Sequence, residues 1–292
     1  MALVPYDDRD GVIWWNGEMR PWRDAKLHVL SHGLHYASAV FEGERCYNGT
    51  IFKLREHSER LIRSAAILGF KLPWTVEEID AACIETVRAN NLTNAYVRPI
   101  AWRGSEEMGV AAQGTRVNLA IAVWEWGAYF GVEQRMKGVN LAWARWRRPH
   151  PDTAPTASKA AGLYMIGTMS KEAAMADGAD DAMMLDHKGD LAEATGANAF
   201  FVLDGEVHTP TPTCFLDGIT RRTVMDLARK RQMKVVERVI HPGELTRATE
   251  AFLAGTAAEV TPVRRIGGQD FTPGLITETL MRDFTALVNN QA

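Results

Sequence analysis

The stretch from Glu193 to Arg221 constrains this chain more tightly than any other part of it. Phe200-Phe-Val-Leu-Asp204-Gly205-Glu-Val-His-Thr209 predicts two strands joined at Asp-Gly, a two-residue hairpin signal. Leu216-Asp-Gly218-Ile219-Thr220-Arg221 then opens a segment, Thr220 to Gln232, with apolar residues at helical spacing. A glycine turn at a helix start leaves unpaired backbone N–H groups and the positive dipole end facing outward, which suits a phosphate.

Two chemistry-bearing residues lie upstream of that turn. Lys159 sits in the small-residue run Ala157-Ser-Lys159-Ala-Ala-Gly162, and Glu193 opens Glu193-Ala-Thr-Gly-Ala-Asn198-Ala-Phe200. Alone, such a lysine is most often solvated near a helix start, and such a glutamate is most often a surface carboxylate. Together with a phosphate turn they suggest pyridoxal phosphate chemistry. A lysine amine condenses with an aldehyde cofactor, and a carboxylate against the cofactor's ring nitrogen keeps that nitrogen protonated and electron-withdrawing.

At this point the residues resemble the class IV (fold type IV) pyridoxal-phosphate aminotransferases, which include branched-chain and D-amino acid aminotransferases and aminodeoxychorismate lyase. The family pattern is a Glu, a small residue two on, an Asn three after that and an aromatic two further. A strand ending in x-Thr and an aliphatic-x-Gly-aliphatic-x-basic close complete it. Glu193, Thr195, Asn198, Phe200, Thr209 and Leu216 to Arg221 meet it in full. The resemblance covers nearly the whole chain and is closest to the branched-chain enzymes. It includes Ser31-His-Gly-Leu-His-Tyr36-Ala-Ser-Ala-Val-Phe41-Glu-Gly43-Glu-Arg45, Arg55-Glu-His57-Ser-Glu-Arg60, Tyr96-Val-Arg98-Pro, Met108-Gly-Val110, Trp126-Gly-Ala-Tyr129 and Gly255-Thr256-Ala257-Ala258-Glu259.

The resemblance implies a task for each matched residue. Lys159 would carry the cofactor and then move the proton at the substrate's α-carbon. Glu193 would face the pyridine nitrogen, Tyr164 the ring's 3′-oxygen, and Leu216 one ring face. Arg60, Ile219, Thr220 and Thr256 would hold the phosphate, although on spacing alone Arg60 could equally pair with Glu56 along a helix. Tyr36, Phe41, Val110, Trp126 and Tyr129 would supply an apolar substrate wall, with some of it coming from a partner subunit. Tyr96, Arg98, Thr256 and Ala257 would meet the substrate carboxylate, Gly43 would leave room, and Arg45 would lie at the edge. The implied reaction moves the amino group of L-leucine, L-isoleucine or L-valine to 2-oxoglutarate in a ping-pong cycle. The alternatives are a D-amino acid or (R)-amine transaminase, or aminodeoxychorismate lyase. A homodimer is the implied minimum assembly, closed by the Met108–Val110 loop. Ala194 and Ala199 depart from the pattern, where glycine and a larger aliphatic residue are more usual, and predict looser packing behind the cofactor.

The remaining sequence agrees with an enzyme of this kind. The 292 residues suffice for two domains, and 33 basic against 36 acidic residues leave no basic stripe for nucleic acid. Cys46, Cys83 and Cys214 are too few and too scattered for a disulfide framework, so a reducing, cytoplasmic setting is expected. Residues 1–11 lack the apolar core of a secretory signal, and no apolar run reaches membrane-spanning length.

Hairpin signals at Asn16-Gly17 and Asn48-Gly49, helices over Leu54 to Leu68 and from Thr75 to about Asn90, and strands over Tyr96 to Trp102 and Arg116 to Trp126 predict a small α/β domain at 1–130. After a linker at 131–138, residues 139–292 predict the larger cofactor-binding domain: a strand over Val139 to Trp146, a helix over Ala160 to Ala176, further strands, and a terminal helix over Pro273 to Val288. The fold class is α+β, in two domains, with the cofactor expected between them. His28, His32 and His35 stand at i, i+4 and i+7, but Gly33 and the lack of nearby carboxylates argue against a metal site. Asp186-His-Lys-Gly189-Asp is too short for a calcium loop and predicts a turn.

Overall fold

A computed structural model describes residues 4–126 and 135–290. They form two compact units: residues 4–126 together with Ser158–Gly162, and residues 135–157 together with 163–290. The Lys159 segment therefore belongs to the first unit, although the sequence placed it inside the second domain. Hydrogen bonds made by its own backbone and by Ser158 hold it there. The Ser158 hydroxyl donates to the Ser64 carbonyl (2.9 Å), the Lys159 N–H to the Ser64 hydroxyl (3.0 Å) and the Phe41 N–H to the Lys159 carbonyl (3.2 Å). Of the expected linker, residues 131–134 lie outside the described residues, and Gly138 turns the chain at φ +68 into the first strand of the second unit.

The first unit is a seven-stranded antiparallel sheet covered on one face by helices. Its strands are β1 (Val12–Trp15), β2 (Glu18–Pro21), β3 (Ala39–Phe41), β4 (Glu44–Tyr47), β5 (Thr50–Ile51), β6 (Ala95–Arg103) and β7 (Val117–Glu125). They run in the order β2-β1-β7-β6-β4-β5, with β3 beside β6. Both hairpin turns were legible from their dipeptides. Asn16 and Gly17 (φ 52 and 105) and Asn48 and Gly49 (φ 49 and 87) take the left-handed backbone that a type I′ turn demands.

A short helix, α1 (His32–His35), precedes β3, and α2 (Leu54–Ile67) and α3 (Val76–Ala89) pack on the sheet. A capping box opens α3 at the expected Thr75: the Thr75 hydroxyl accepts from the Glu78 N–H (3.2 Å), and Glu78 accepts from the Thr75 N–H (2.7 Å). Alternation along β6 decides which side chains reach which face. Ala95, Val97 and Ala101 join the core under the helices with Leu61, Ile79, Leu119 and Ile121, whereas Trp102 packs with Trp15 and Ala120 on the other side. Tyr96 and Arg98, being even-numbered like Trp102, share its face.

The second unit is a nine-stranded mixed sheet. It comprises β8 (Val139–Trp143), β9 (Asp181–Leu185), β10 (Leu191–Ala194), β11 (Asn198–Leu203), β12 (Glu206–Pro210), β13 (Val235–Arg238), β14 (Ala248–Gly255), β15 (Glu259–Ile266) and β16 (Gln269–Asp270). The order is β10-β9-β8-β15-β14-β11-β12-β13, with β16 beside β15 and β10 also pairing with β11. Asp204 and Gly205 (φ 53 and 77) make the predicted hairpin. Helices α4 (Met165–Ala176), α5 (Ile219–Lys230) and α6 (Leu275–Asn290) complete the unit.

Three expectations need adjustment. The strand expected to reach Trp146 stops at Trp143, and the run Arg145-Trp-Arg147 is exposed. The helix expected from Ala160 begins as a 3-10 turn, Ala161–Tyr164, and becomes α-helical only at Met165. Residues 259–266, of which only the first part was read, as the end of a motif, form a central strand. Ala194 and Ala199 are buried in the second unit's core, with Ala199 opposite Leu253 across the β11–β14 ladder.

Candidate active site

In the first unit, the non-helical face of β6 gathers most of the expected substrate wall around one cation. The Arg98 guanidinium carbon lies 4.8 Å from the Phe41 ring centroid, 5.1 Å from that of Tyr96 and 5.8 Å from that of Trp124. Tyr96 also packs against Trp126, with centroids 5.1 Å apart. The Lys159 ammonium stands 5.0 Å from the same Phe41 ring. Gly43 leaves room for this arrangement: a Cβ there would lie 2.1 Å from the Tyr96 hydroxyl. Arg98 Nη2 donates to the Tyr96 hydroxyl (3.4 Å), while its Nε is buried and has no hydrogen-bond partner among the described residues, which suits a cation that can take a substrate carboxylate. Arg45 stacks over Tyr47 and Trp126, at the margin of this cluster.

Tyr36 and Val110 are not part of that wall within the chain. They line a cavity of about 340 Å³ with His32, Ser38 and Arg103, and both are exposed. His32 binds the two stretches together, since its Nδ1 meets the Ser38 hydroxyl (2.6 Å) and its Nε2 the Gly109 carbonyl (2.8 Å). Tyr129 lies outside the described residues.

Glu56, the alternative partner by spacing, meets Lys53. The buried stripe of α2 carries His57, Arg60 and Ser64 at helical spacing, and Arg60 is directed at Glu42. Its Nε and Nη2 donate to the two Glu42 oxygens (2.6 and 2.8 Å), and the His57 Nδ1 meets the same carboxylate at 2.6 Å. Burial alone would push the Glu42 carboxyl up, but Arg60 and His57 hold it far below the usual carboxylate range. Burial lowers the His57 ring despite Glu42, so near neutrality the ring is uncharged and its Nδ1–H donates. The next residue on the same side, Glu44, is pushed well above the carboxylate range by burial and by neighbouring Glu42 and Asp80.

In the second unit the expected motif forms one hydrogen-bonded arrangement. Glu193 and Asn198 face each other across the β10–β11 ladder. The Asn198 amide nitrogen donates to Glu193 Oε2 (3.2 Å) and to the Leu216 carbonyl (3.0 Å). On the other carboxylate oxygen, Arg148 forms an ion pair at 3.4 Å. Gly218 is the N-cap of α5 and supplies no side-chain cap, so the first N–H groups at Ile219 and Thr220 have the character of an anion site. A Cβ on Gly218 would lie 2.2 Å from the Asn198 oxygen.

The last two motif positions are fasteners. The Thr209 hydroxyl donates to the Ala199 carbonyl (2.9 Å). Arg221, fully buried, holds Thr209, the Pro210 carbonyl, Asp217 and Glu237. Thr256 and Ala257 lie in the turn between β14 and β15, and Tyr164 ends the 3-10 turn before α4. The donor set therefore fits pyridoxal phosphate: an amine at Lys159, a held carboxylate at Glu193, and an uncapped helix start for the phosphate.

The class IV amino-transferase family matches residues 39–266. The chain belongs to the class IV aminotransferases. It is 44% identical over 291 residues to the branched-chain-amino-acid aminotransferase of Pseudomonas aeruginosa, covering 97% of this chain and 95% of that one. The corresponding enzyme of Escherichia coli K12 is 40% identical over 288 residues, covering 96% and 93%. The crystal structure of the T.th. branched-chain amino acid aminotransferase with pyridoxamine 5′-phosphate superposes with a TM-score of 0.94 at 37% identity, covering 97% and 96%. This class IV aminotransferase thus has the fold type IV architecture.

Sequence reading did not assign roles to Glu42, His57 or Arg148. His57 had a signal, since it stands at i, i+3 with Arg60 on one helix face, whereas Glu42 had none. Arg148 had none: it is one of three arginines in Arg145-Trp-Arg147-Arg148, and only the structure shows that it is the buried one.

Proposed function

We propose that this class IV aminotransferase transfers the amino group of L-leucine, L-isoleucine or L-valine to 2-oxoglutarate with pyridoxal 5′-phosphate as cofactor. The observation that carries the reading is the wall of Phe41, Tyr96 and Trp126 around Arg98, beside Lys159. A branched aliphatic side chain needs the aromatic surface, and the two carboxylates of glutamate need a cation close to it. The identity to branched-chain enzymes along the whole chain supports the same substrates.

When bound, the cofactor supplies an aldehyde for the amino group and a ring that accepts the electron pair left by the broken Cα–H bond. Lys159 provides the amine that holds the cofactor and then takes and returns the α-proton. Glu193, its two oxygens fixed by Asn198 and Arg148, would meet the ring nitrogen. Arg60, the N–H groups of Ile219 and Thr220, and the hydroxyls of Thr220 and Thr256 would hold the phosphate. Tyr164 would donate to the 3′-oxygen, and Leu216 would cover a ring face. Tyr96, Arg98, Thr256 and Ala257 orient the substrate carboxylate.

The exposure of Tyr36 and Val110 supports a homodimer in which they complete the partner's pocket, with the Met108–Val110 loop closing it. Three buried, free cysteines support work in the cytoplasm. No helix among the described residues is long and apolar enough to cross a membrane.

Steady-state assays of the holoenzyme test the substrate assignment. L-leucine, L-isoleucine and L-valine should each turn over only when 2-oxoglutarate is present. Turnover of D-alanine or an (R)-amine in their place would overturn the donor assignment, and product formation without any oxo-acid acceptor would point to lyase chemistry.

A further inference from the structure

We infer that Glu42 and His57 are positioning residues for the cofactor phosphate: they fix the Arg60 guanidinium so that its end-on N–H edge is the one presented to the phosphate. The inference rests on the reading of Arg60 as a phosphate ligand.

A guanidinium is a flat plate with two edges able to make paired hydrogen bonds, the side-on Nε/Nη2 edge and the end-on Nη1/Nη2 edge. Glu42 takes the side-on edge with both oxygens, at 2.6 and 2.8 Å. That grip sets the plane and direction of a side chain that otherwise has four free torsions. His57 meets Glu42 Oε2 at 2.6 Å, and the Gly43 N–H donates to the same oxygen at 3.3 Å, so the carboxylate is itself held.

Stability alone does not account for such a cluster. Glu42 is 0% exposed, and a buried ion pair seldom exceeds an apolar packing of equal volume in stability. Its value lies in preorganisation: the Glu42–Arg60 pair balances its own charge before any phosphate arrives, and an uncharged His57 adds a donor without adding a second cation. Chain position links this device to the substrate wall. Glu42 lies between Phe41, which faces Arg98 and Lys159, and Gly43, which admits the Tyr96 hydroxyl. One tripeptide therefore sets both the apolar wall and the direction of the arginine.

Apoenzyme prepared from the holoenzyme is titrated with pyridoxal phosphate and with pyridoxal, which lacks the phosphate, following absorbance. Glu42→Gln and His57→Leu should weaken pyridoxal phosphate by about ten- to a hundredfold, the scale of a lost charge-assisted hydrogen bond, and change pyridoxal by less than about twofold. His57→Asn, whose amide nitrogen can stand where Nδ1 stood, should keep the wild-type preference. Equal weakening of both ligands by Glu42→Gln, or identical behaviour of His57→Leu and His57→Asn, would overturn the positioning role. If Glu42→Gln does not fold, the two His57 variants decide. Arg60→Met separates the underlying reading: an unchanged preference for the phosphorylated ligand in that variant would show that Arg60 does not hold the phosphate at all.

Discussion

Replacing Gly218 by alanine should damage this enzyme through Asn198, and the size of the damage follows from distances. The backbone at Gly218 (φ −65, ψ 139) is open to any residue, so the constraint is steric and not conformational. An added Cβ would lie 2.2 Å from Asn198 Oδ1, whereas ordinary contact begins near 3.4 Å, which requires a displacement of about 1.2 Å (3.4 − 2.2). The tip of a long, exposed side chain would simply move aside. Asn198 is 5% exposed, and its amide nitrogen already spans 3.2 Å to Glu193 and 3.0 Å to the Leu216 carbonyl.

A shift of that size breaks at least one of those bonds, and the bond to the carboxylate is the stronger. The expected loss is about 2–4 kcal/mol, from one charge-assisted hydrogen bond, one neutral one and residual crowding. Urea unfolding of the apoenzyme measures it, and a double-mutant cycle with Asn198→Ala assigns it. Once Asn198 is truncated there is nothing left to strike, so adding Gly218→Ala should cost less than about 0.5 kcal/mol more. A Gly218→Ala variant within about 0.5 kcal/mol of wild type, or a cycle with no coupling, would refute the reasoning.

Other consequences are open to direct measurement. Arg221→Met should lower stability to urea by about 2–4 kcal/mol, because the Thr209 hydroxyl and Pro210 carbonyl lose a buried donor, while the more exposed Asp217 and Glu237 can rehydrate. Arg98→Met should raise KM for 2-oxoglutarate by roughly tenfold or more while leaving the secondary structure intact by circular dichroism; an unchanged KM would remove Arg98 from the site. The Glu244 carboxyl is held down to about 2 by its hydrogen bonds from Arg238, so its contribution is present above the unfolded value near 4.5 and is lost as pH falls from there toward 2. Glu244→Gln should accordingly flatten the stability profile between about pH 5 and pH 3, by about 1 kcal/mol or less because solvent screens this surface pair; parallel wild-type and variant profiles would contradict it. Cys46, Cys83 and Cys214 are buried, free and raised by burial, Cys214 to about 11, so a disulfide thiol reagent at pH 8 should find none of them in the native enzyme and all three in urea.

Local chemistry in the sequence mapped well onto the structure where it acts over a few residues. Asn-Gly and Asp-Gly named their hairpins, Thr75 named a helix start, and Glu193 and Asn198, read as positions of one motif, meet across a ladder. Partners far apart in the chain were another matter. That Arg60 would face Glu42, eighteen residues earlier, depends on how β3 and the residues after it pack on α2, and the i,i+4 alternative with Glu56 was equally consistent with spacing. Arg148 meets Glu193 forty-five positions away (193 − 148), and nothing in its own neighbourhood distinguishes it from Arg145 or Arg147. The Lys159 segment was assigned to the wrong unit for the same reason: Ser64, which anchors it, looks like any other helix serine.

The most direct test of the account is the single half-reaction, read from the absorbance of the holoenzyme mixed with one donor and no acceptor. L-leucine should convert the yellow, pyridoxal-bound spectrum to that of the pyridoxamine form, and D-alanine should leave it unchanged. A spectrum that responds to D-alanine and not to L-leucine would contradict the branched-chain assignment while leaving the class IV family intact.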